Sequence, residues 1–541
     1  MTRTDSTTPI WGKIAIVALI LMVVCGYLFE ILIAPFGGLD FSIYRMGAMT
    51  IFDNEGFTKD LYAPVFIEIG VLKLPFTYPP FAALVFLPFA FLPLEVGKAI
   101  MVLGTTAAAW WLSATIYNYA QTSGRALPLQ GRLGRTGTIA ALTIVVMLCG
   151  PWRRTFHLMQ INPLIMALIL ADFVRPATRV PRGVLVGIAG GLKLTPLVFG
   201  LILLVRRDWK GIAALGATFL ATIAVGFILL PNEAPQFWFS AISDPSRVGD
   251  INFVDNISIQ GWLMHFGLKG TALKLGFYAL AVLSIALVAV LLYQLDRRGK
   301  TLAQVAVTGT LMVALSPISW SHHNVLLPLL LAALILDAFP TFMVHLPSAA
   351  RKVACVLAWV AGVGLYISPR IIGGITQLDM NGLEFLWAPG VAIGGFPSFA
   401  LWATVMFWAV ASLSAPVRGA KVEPVQYGSV RSDAPLGWWG ARALVTESAA
   451  THAGDAVKEA ATRRLCGLCG GFLGGFYSFR RGFSSGLCGG GHAFYSALNS
   501  RFRNRCSSRA RRSPRDYRRG RLGLHRVRSG VLVSILHEGL F

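Results

Sequence analysis

Charge is what this chain has least of. Asp, Glu, Lys and Arg together make up 13% of its 541 residues, against 55% hydrophobic residues. That balance lies well outside the range of a soluble domain. Three motifs are missing as well. There is no Gly-x-x-x-x-Gly-Lys-Ser/Thr phosphate loop, no Gly-x-Gly-x-x-Gly dinucleotide turn followed by an acid, and no His-Glu-x-x-His. Their absence removes the usual ways of gripping a nucleotide or a hydrolytic zinc. The seven cysteines give no disulfide framework. Cys25, Cys149 and Cys355 fall in apolar runs and are expected to be small buried residues. Cys466 and Cys469 have knuckle spacing, but no second pair follows them, so no metal site is implied. Chemistry in such a chain calls for a substrate that arrives already activated and already dissolved in the membrane. No nucleic-acid partner is expected. No cofactor is required, and a divalent metal ion is left open.

What is present is a series of apolar runs near the roughly 20 residues that a helix needs to cross a bilayer. They lie at Ile14–Ile33, Gly97–Tyr117 and roughly 136–151, 160–174, 211–230, 272–295, 302–318, 323–340, 353–369 and 390–413. The fold expected is all-α and polytopic, with about 10–12 membrane helices and a lipid bilayer as its surroundings. Ile14–Ile33 reads as a retained span rather than a cleaved signal. Basic residues recur between the runs, at Arg125/Arg132/Arg135, Arg175/Arg179/Arg182, Arg206/Arg207/Lys210, Arg297/Arg298/Lys300, Arg351/Lys352 and Arg418/Lys421. Lys and Arg in short loops mark the cytoplasmic side.

Parity then dictates the rest. Phe81–Leu94, interrupted by Pro88 and Pro93, reads as a juxtamembrane or re-entrant helix. Gly183–Val205 lies between two basic clusters and is broken at Gly190-Gly191-Leu192-Lys193-Leu194-Thr195-Pro196. It reads as a re-entrant hairpin with Lys193 at its apex. Both termini are expected in the cytoplasm. The long first loop, Ala34–Pro80, is expected outside, as are Pro151–Asn162, Pro231–Gly270, Ser316–His323 and Pro369–Pro389.

The unusual polar residues therefore gather on one face. Asp40 follows the first span in an otherwise apolar stretch, with Arg45 five residues on as a possible partner. A loop carboxylate is commonly just solvated, but one beside a span is costly unless water, a cation or a substrate meets it. His322 and His323 follow the helix-breaking Ser316-Pro317. Adjacent histidines do not face one metal ion from a regular helix, but they suit a phosphate or a hydroxyl. Arg153, Arg154 and His157 lie on the wrong side for the charge rule and point to an anion, which Arg suits well. Lys193 carries the same implication. Asn256, Ser258, Gln260 and Trp262 offer the amides, hydroxyl and aromatic face that a sugar ring uses.

Five motifs taken together resemble a known family over roughly residues 10–415. They are Asp40-Phe-Ser-Ile-Tyr44-Arg45, Phe76-Thr-Tyr78-Pro-Pro, Gln160-Ile-Asn162, Gly191-Leu-Lys193-Leu-Thr-Pro, and Ser316-Pro-Ile-Ser-Trp320-Ser-His322-His323. The chain resembles glycosyltransferase family 87, the polytopic mannosyl- and arabinosyltransferases of actinobacterial envelopes. The last motif is the most specific. Where the family often reads Asn-Gln-Ser, this chain reads Asn256-Ile257-Ser258.

The resemblance implies a GT-C-type fold and an inverting transfer from a polyprenyl-phosphate-mannose donor to a glycolipid acceptor of the phosphatidylinositol mannoside or lipomannan kind. The transfer would take place on the outer face of the cell membrane. It implies Asp40 as the base. It implies that His322 and His323 line the donor site; Lys193, Arg153, Arg154, Tyr44 and Arg45 are the further candidates for donor contacts, the cations because a leaving phosphate needs them. Sugar or acceptor contacts would come from Tyr78, Gln160, Asn162, Asn256 and Trp320. A polyprenyl-phosphate-arabinose donor is the alternative within the same chemistry, and a lipid or solute transporter is the alternative outside it.

Residues 1–415 are expected to form the catalytic membrane domain. Residues 416–541 differ in character: from Arg418 onward there are 21 Lys and Arg against 7 Asp and Glu, among runs of Gly and Ser. Two readings stay open, a basic cytoplasmic tail drawn to anionic lipid and a shifted reading frame of GC-rich DNA. Either implies low order and no catalytic role.

Overall fold

In lipid a backbone must satisfy its own polar groups, so the apolar runs can span only as helices. The computed structural model describes residues 8–34, 36–51, 60–63, 66–69, 72–176, 179–249, 251, 253–369, 371–372 and 389–415, all within one unit. The chain is an all-α polytopic membrane protein. Its helices are α1 (Ile10–Leu32), α2 (Leu39–Thr50), α3 (Pro80–Val85), α4 (Leu87–Ala90), α5 (Leu94–Thr122), α6 (Gln130–Met147), α7 (Gly150–Leu158), α8 (Asn162–Val174), α9 (Val184–Leu192), α10 (Gly200–Val205) and α11 (Trp209–Leu229). They continue with α12 (Glu233–Phe239), α13 (Ile259–His265), α14 (Gly270–Asp296), α15 (Thr301–Leu315), α16 (Leu327–Ala333), α17 (Ser348–Ile367) and α18 (Pro389–Ser414). One small antiparallel ribbon joins them, β1 (Ile67–Ile69) with β2 (Leu72–Leu74), Ile67 opposite Leu74.

Among the described residues seven helices are long and apolar enough to cross a membrane. They are α1, α5, α11, α14, the Leu327–His345 run begun by α16, α17 and Gly395–Ser414 of α18. Asn162–Val174, Thr195–Val205 and Thr301–Leu315 are shorter apolar helices. The run expected at 136–151 does not continue straight. It bends by 78° between α6 and α7, where Cys149 is extended and Pro151 follows at a helix start. The turn lays α7 across the ends of its neighbours. Cys149 is buried, whereas Cys25 and Cys355 are exposed on the outer faces of α1 and α17. Burial was the wrong expectation for these two, because apolar helix faces turned to lipid need no cover.

Phe81–Leu94 becomes two short helices, α3 and α4, rather than a span. The re-entrant hairpin is formed by α9, a 3₁₀ turn over Thr195–Phe199, and α10. Gly183, Gly187 and Gly191 abut Gly211, Leu215 and Thr222 of α11, so α9 and α11 rise side by side. Gly200 is also against Leu215, so the chain comes back down along α10 to the level at which it entered. Asp172 of α8 fixes the hairpin's entry. Its Oδ2 accepts from the backbone N–H of Gly183 (2.8 Å) and Val186 (3.0 Å), and Arg175 pairs with Oδ1 at 3.0 Å. Arg206 fixes its exit through Asp296 at 3.0 Å, with Gln304 and Thr301 beside it.

The core is one large apolar cluster shared by α1, α5–α10 and α14–α18. A second cluster, with Phe66, Phe76 and Phe237, joins the first loop to α12. Beyond α16 the helix widens into a π-helical stretch, Leu334–Phe342, that absorbs Pro340 and directs Asp337 to Tyr119 and to Lys300 at 2.8 Å. The tail, including Cys466 and Cys469, lies outside the described residues, as does most of Pro369–Pro389.

Candidate active site

The long first loop is not irregular where it matters. After α1 the chain turns at Gly38, whose φ of 75° is one that glycine adopts at no steric cost. A side chain there would meet Met159 Sδ at 2.9 Å and Lys98 Cε at 3.1 Å. The Gly38 N–H donates to the carbonyl of His157 (2.7 Å), and α2 begins at once. Asp40 thus stands in the first turn of a helix, where the backbone dipole favours a carboxylate. It is half-buried in the wall of a cavity of about 730 Å³. Burial pushes its carboxyl up to about 6, while the facing charges of Arg154 and Lys193 pull it down. A group so placed titrates near the working pH, which is what proton transfer asks of it. Among the described residues no hydrogen bond to its carboxylate is formed, so the oxygens are left for a ligand.

The back of the cavity is built from five chain segments tied together by hydrogen bonds. Tyr44 on α2 donates to Gln160 Oε1 at 2.6 Å, and its hydroxyl is 2.8 Å from that of Tyr78. Gln160 Nε2 lies 3.4 Å from His322 Nε2. Asn162 donates to the carbonyl of His322 (3.0 Å) and accepts from Lys193 Nζ (3.3 Å). Thr155 donates to the same His322 carbonyl at 3.2 Å. The ammonium of Lys193, released at the hairpin break, also stands 5.8 Å from the Tyr78 ring centroid, close enough for a cation–π attraction. His322 and His323 occupy a 3₁₀ turn with their rings edge to face. Burial, then the nearby Lys193, holds His323 well below the usual imidazole range, so it offers hydrogen bonds rather than charge.

Asp40, Tyr44, Tyr78, Arg154, Gln160, Lys193, Trp320, His322 and His323 all line this one cavity. Arg45, Arg153, Asn162 and Asn256 do not. Arg45, expected beside Asp40, faces away from it and donates to the carbonyls of Phe89 (3.1 Å) and Leu92 (3.0 Å). Five residues along a helix is more than a full turn, so the two side chains diverge. Arg153 donates to the carbonyl of Ile367. Asn256 uses its amide on backbone: it donates to Ile251 (2.9 Å) and accepts from Ser319 (3.0 Å), while its main chain bridges Trp320. Ser258 caps α13, and Trp262 is core. This stretch shapes the turn that carries Trp320 rather than facing the cavity itself. Asn162 sits one layer behind the wall, joining Lys193 to the histidine turn.

Sequence reasoning passed over several lining residues, among them Asp244, Arg247, Asp255 and Thr195, and left His157 without a partner. Arg247 reaches across to the carbonyls of Ala63 and Phe76 at 3.4 and 3.5 Å. Glu30 was also missed, although it is the one acid in the apolar run of α1. Among the described residues no three His, Cys, Asp or Glu side chains gather as metal ligands.

The model of Glycosyltransferase family 87 matches residues 76–317. The match takes in Tyr78, Arg154, Gln160, Asn162 and Lys193, and stops short of Asp40 on one side and of the two histidines on the other. Three curated relatives are similar over longer stretches. A polyprenol-phosphate-mannose-dependent alpha-(1-2)-phosphatidylinositol mannoside mannosyltransferase of Mycolicibacterium smegmatis is 34% identical over 315 residues, 55% of this chain and 70% of the relative. A polyprenol-phosphate-mannose-dependent alpha-(1-2)-phosphatidylinositol pentamannoside mannosyltransferase of the same organism is 33% identical over 328 residues, 59% and 73%. A protein of the latter name from Mycobacterium tuberculosis is 32% identical over 336 residues, 60% and 71%. No solved structure gives a significant match.

Proposed function

The chain belongs to glycosyltransferase family 87, and from that premise we propose that it moves a mannosyl residue from polyprenyl-phosphate-mannose to a phosphatidylinositol mannoside, making an alpha-(1-2) bond with inversion. The observation that carries this reading is Asp40, half-buried in a large cavity, pushed up to about 6 by burial and facing Arg154 and Lys193. A base and an anion site on one cavity are what a transfer from a sugar phosphate needs.

Asp40 takes the proton of the acceptor hydroxyl as that oxygen attacks the anomeric carbon. The bond from that carbon to the phosphate oxygen breaks on the opposite side, and the phosphate monoester leaves as an anion without needing an acid. Lys193 and Arg154 stabilise its growing charge, and His322 and His323 orient its oxygens. Tyr44, Tyr78 and Gln160 hold the sugar end, with Trp320 as an apolar face. The aromatic cluster of the first loop leaves room for an acceptor beside Asp40.

The reaction is assigned to the outer face of the membrane. The cavity lies at the helix ends opposite the turns rich in arginine, and those turns are the cytoplasmic ones by the charge rule. The N-terminus belongs on the cytoplasmic side by the same rule. The relatives' names favour mannose over the pentose alternative.

The test is incubation of purified protein with each polyprenyl-phosphate sugar and a panel of phosphatidylinositol mannosides, followed by linkage analysis. Mannose transfer with a 1→2 linkage is expected. Transfer only from the arabinose carrier, or no transfer from either, overturns the reading.

A further inference from the structure

Glu30 lies one turn from the end of α1, in a run whose other residues, Lys13 apart, are uncharged. It is only 2% exposed. A carboxylate inside a membrane helix is expensive, and such residues mark working sites more often than fasteners. Its Oε2 stands 2.8 Å from Nδ1 of His157, and its Oε1 is buried with no hydrogen-bond partner among the described residues. His157 ends α7, lines the cavity, and gives its carbonyl to Gly38 N, two residues before the base. With Nδ1 engaged by Glu30, Nε2 is the ring nitrogen that remains, and among the described residues no group hydrogen-bonds it. An ionised Glu30 accepts from Nδ1–H, which fixes the tautomer and leaves Nε2 as an acceptor toward the cavity. Mere fastening of α1 to α7 needs no ionisable pair. An amide or a well-packed apolar contact would hold the two helices without the desolvation cost.

We propose that Glu30 and His157 form a carboxylate–imidazole dyad that takes a hydroxyl hydrogen of the acceptor sugar on His157 Nε2 and so selects the hydroxyl presented to Asp40. His157 is the selecting contact and Glu30 is its positioning residue. The inference rests on the acceptor being a polyhydroxyl sugar, as in the proposed function. A vicinal hydroxyl held on the same wall as the base leaves its neighbour aimed at Asp40. Loss of that hold changes which oxygen attacks and leaves Lys193 and the two histidines of the donor site in place.

Two histidine variants separate the dyad from a fastener. His157→Asn keeps an amide at the Nδ1 position, able to bond Glu30, and removes the nitrogen facing the cavity. His157→Gln does the reverse. With His157→Asn the melting temperature and the donor KM are expected to stay near those of the unsubstituted protein. The acceptor KM rises about tenfold, the worth of roughly one hydrogen bond, and linkage analysis shows mixed regioisomers. His157→Gln restores most of the acceptor KM. Glu30→Gln, which keeps the contact and removes the charge, raises the acceptor KM and leaves the donor KM alone. An unchanged acceptor KM and linkage in His157→Asn overturns the dyad. So does a fall in melting temperature together with a rise in both KM values in all three variants. The unsubstituted protein in the same assay tests the proposed function by itself: no mannose transfer there removes that reading, whereas transfer with unaltered variants removes only the dyad.

Discussion

At the scale of single residues the site is a balance between burial and charge, and Asp40 shows both sides. Burial raises its carboxyl to about 6 despite Arg154 and Lys193. A base must be unprotonated, so kcat/KM is expected to rise with pH and level off above about 6, with unit slope on the acid side. A pH profile flat from 5 to 8 would detach Asp40 from the rate. The same shift bears on stability with the opposite sign. The folded carboxyl binds its proton more tightly than the unfolded one, so stability is greatest below about 4 and declines as pH rises toward 6. At neutral pH the ionised group costs about 3 kcal/mol by linkage, a difference of some two units from the free value. Asp40→Asn is therefore expected to lose transfer by at least ~10³-fold while melting no lower than the unsubstituted protein, and higher at pH 7 than at pH 5 relative to it. A large drop in melting temperature would mean that Asp40 holds the fold together.

At the scale of elements the re-entrant hairpin decides where Lys193 stands. Its entry is fixed from α8, not from within, since Asp172 accepts two backbone N–H groups of α9 and the guanidinium of Arg175. Asp172→Ala would strand all three, at a cost of ~3 kcal/mol or more. Thermal unfolding in detergent should show it as a clear loss, although Asp172 does not line the cavity. Lys193→Met leaves the hairpin packed but removes its cation. Affinity for a polyprenyl phosphate is expected to fall ~10- to 100-fold, the scale of one charge-assisted hydrogen bond, and an undiminished affinity would strip Lys193 of its phosphate role. The bend between α6 and α7 works differently. It turns α7 aside so that His157, Arg154 and Gln160 reach the cavity wall rather than continuing into solvent.

At the scale of the whole molecule, the membrane helices were legible because span length and basic loops are one-dimensional signals. The hairpin at Gly183–Val205 and the demotion of Phe81–Leu94 followed from parity together with the Gly-Gly and Pro breaks within them. The helical character of Asp40's surroundings did not, because α2 is short and its start depends on Gly38 docking against α7. Arg45, Arg153 and Asn256 were grouped with the site because motifs record which residues recur, not which way they face; the backbone carbonyls that absorb them are invisible in sequence. Glu30–His157 was missed for a related reason, since the partners are 127 positions apart. Every described residue that lines the cavity falls between Phe36 and His323. Removal of residues 416–541 is accordingly expected to leave transfer within about twofold per folded molecule. A tenfold or greater loss would give that segment a part in the reaction.

The interval between Glu30 and His157 also has a history in time. α1 packs along α6, with Gly12 against Leu133 and Gly137, so its partner is not yet made when it enters the bilayer. At ~5–20 residues per second, the imidazole that answers Glu30 leaves the ribosome roughly 6–25 seconds later. Over that interval the newborn helix carries its one acidic side chain without the imidazole that answers it. The Glu30–His157 contact cannot be an early anchor of assembly. It closes only after the first arginine-rich turn, Arg125 to Arg135, has been made, and the site is complete only once the nascent chain has reached the histidine turn.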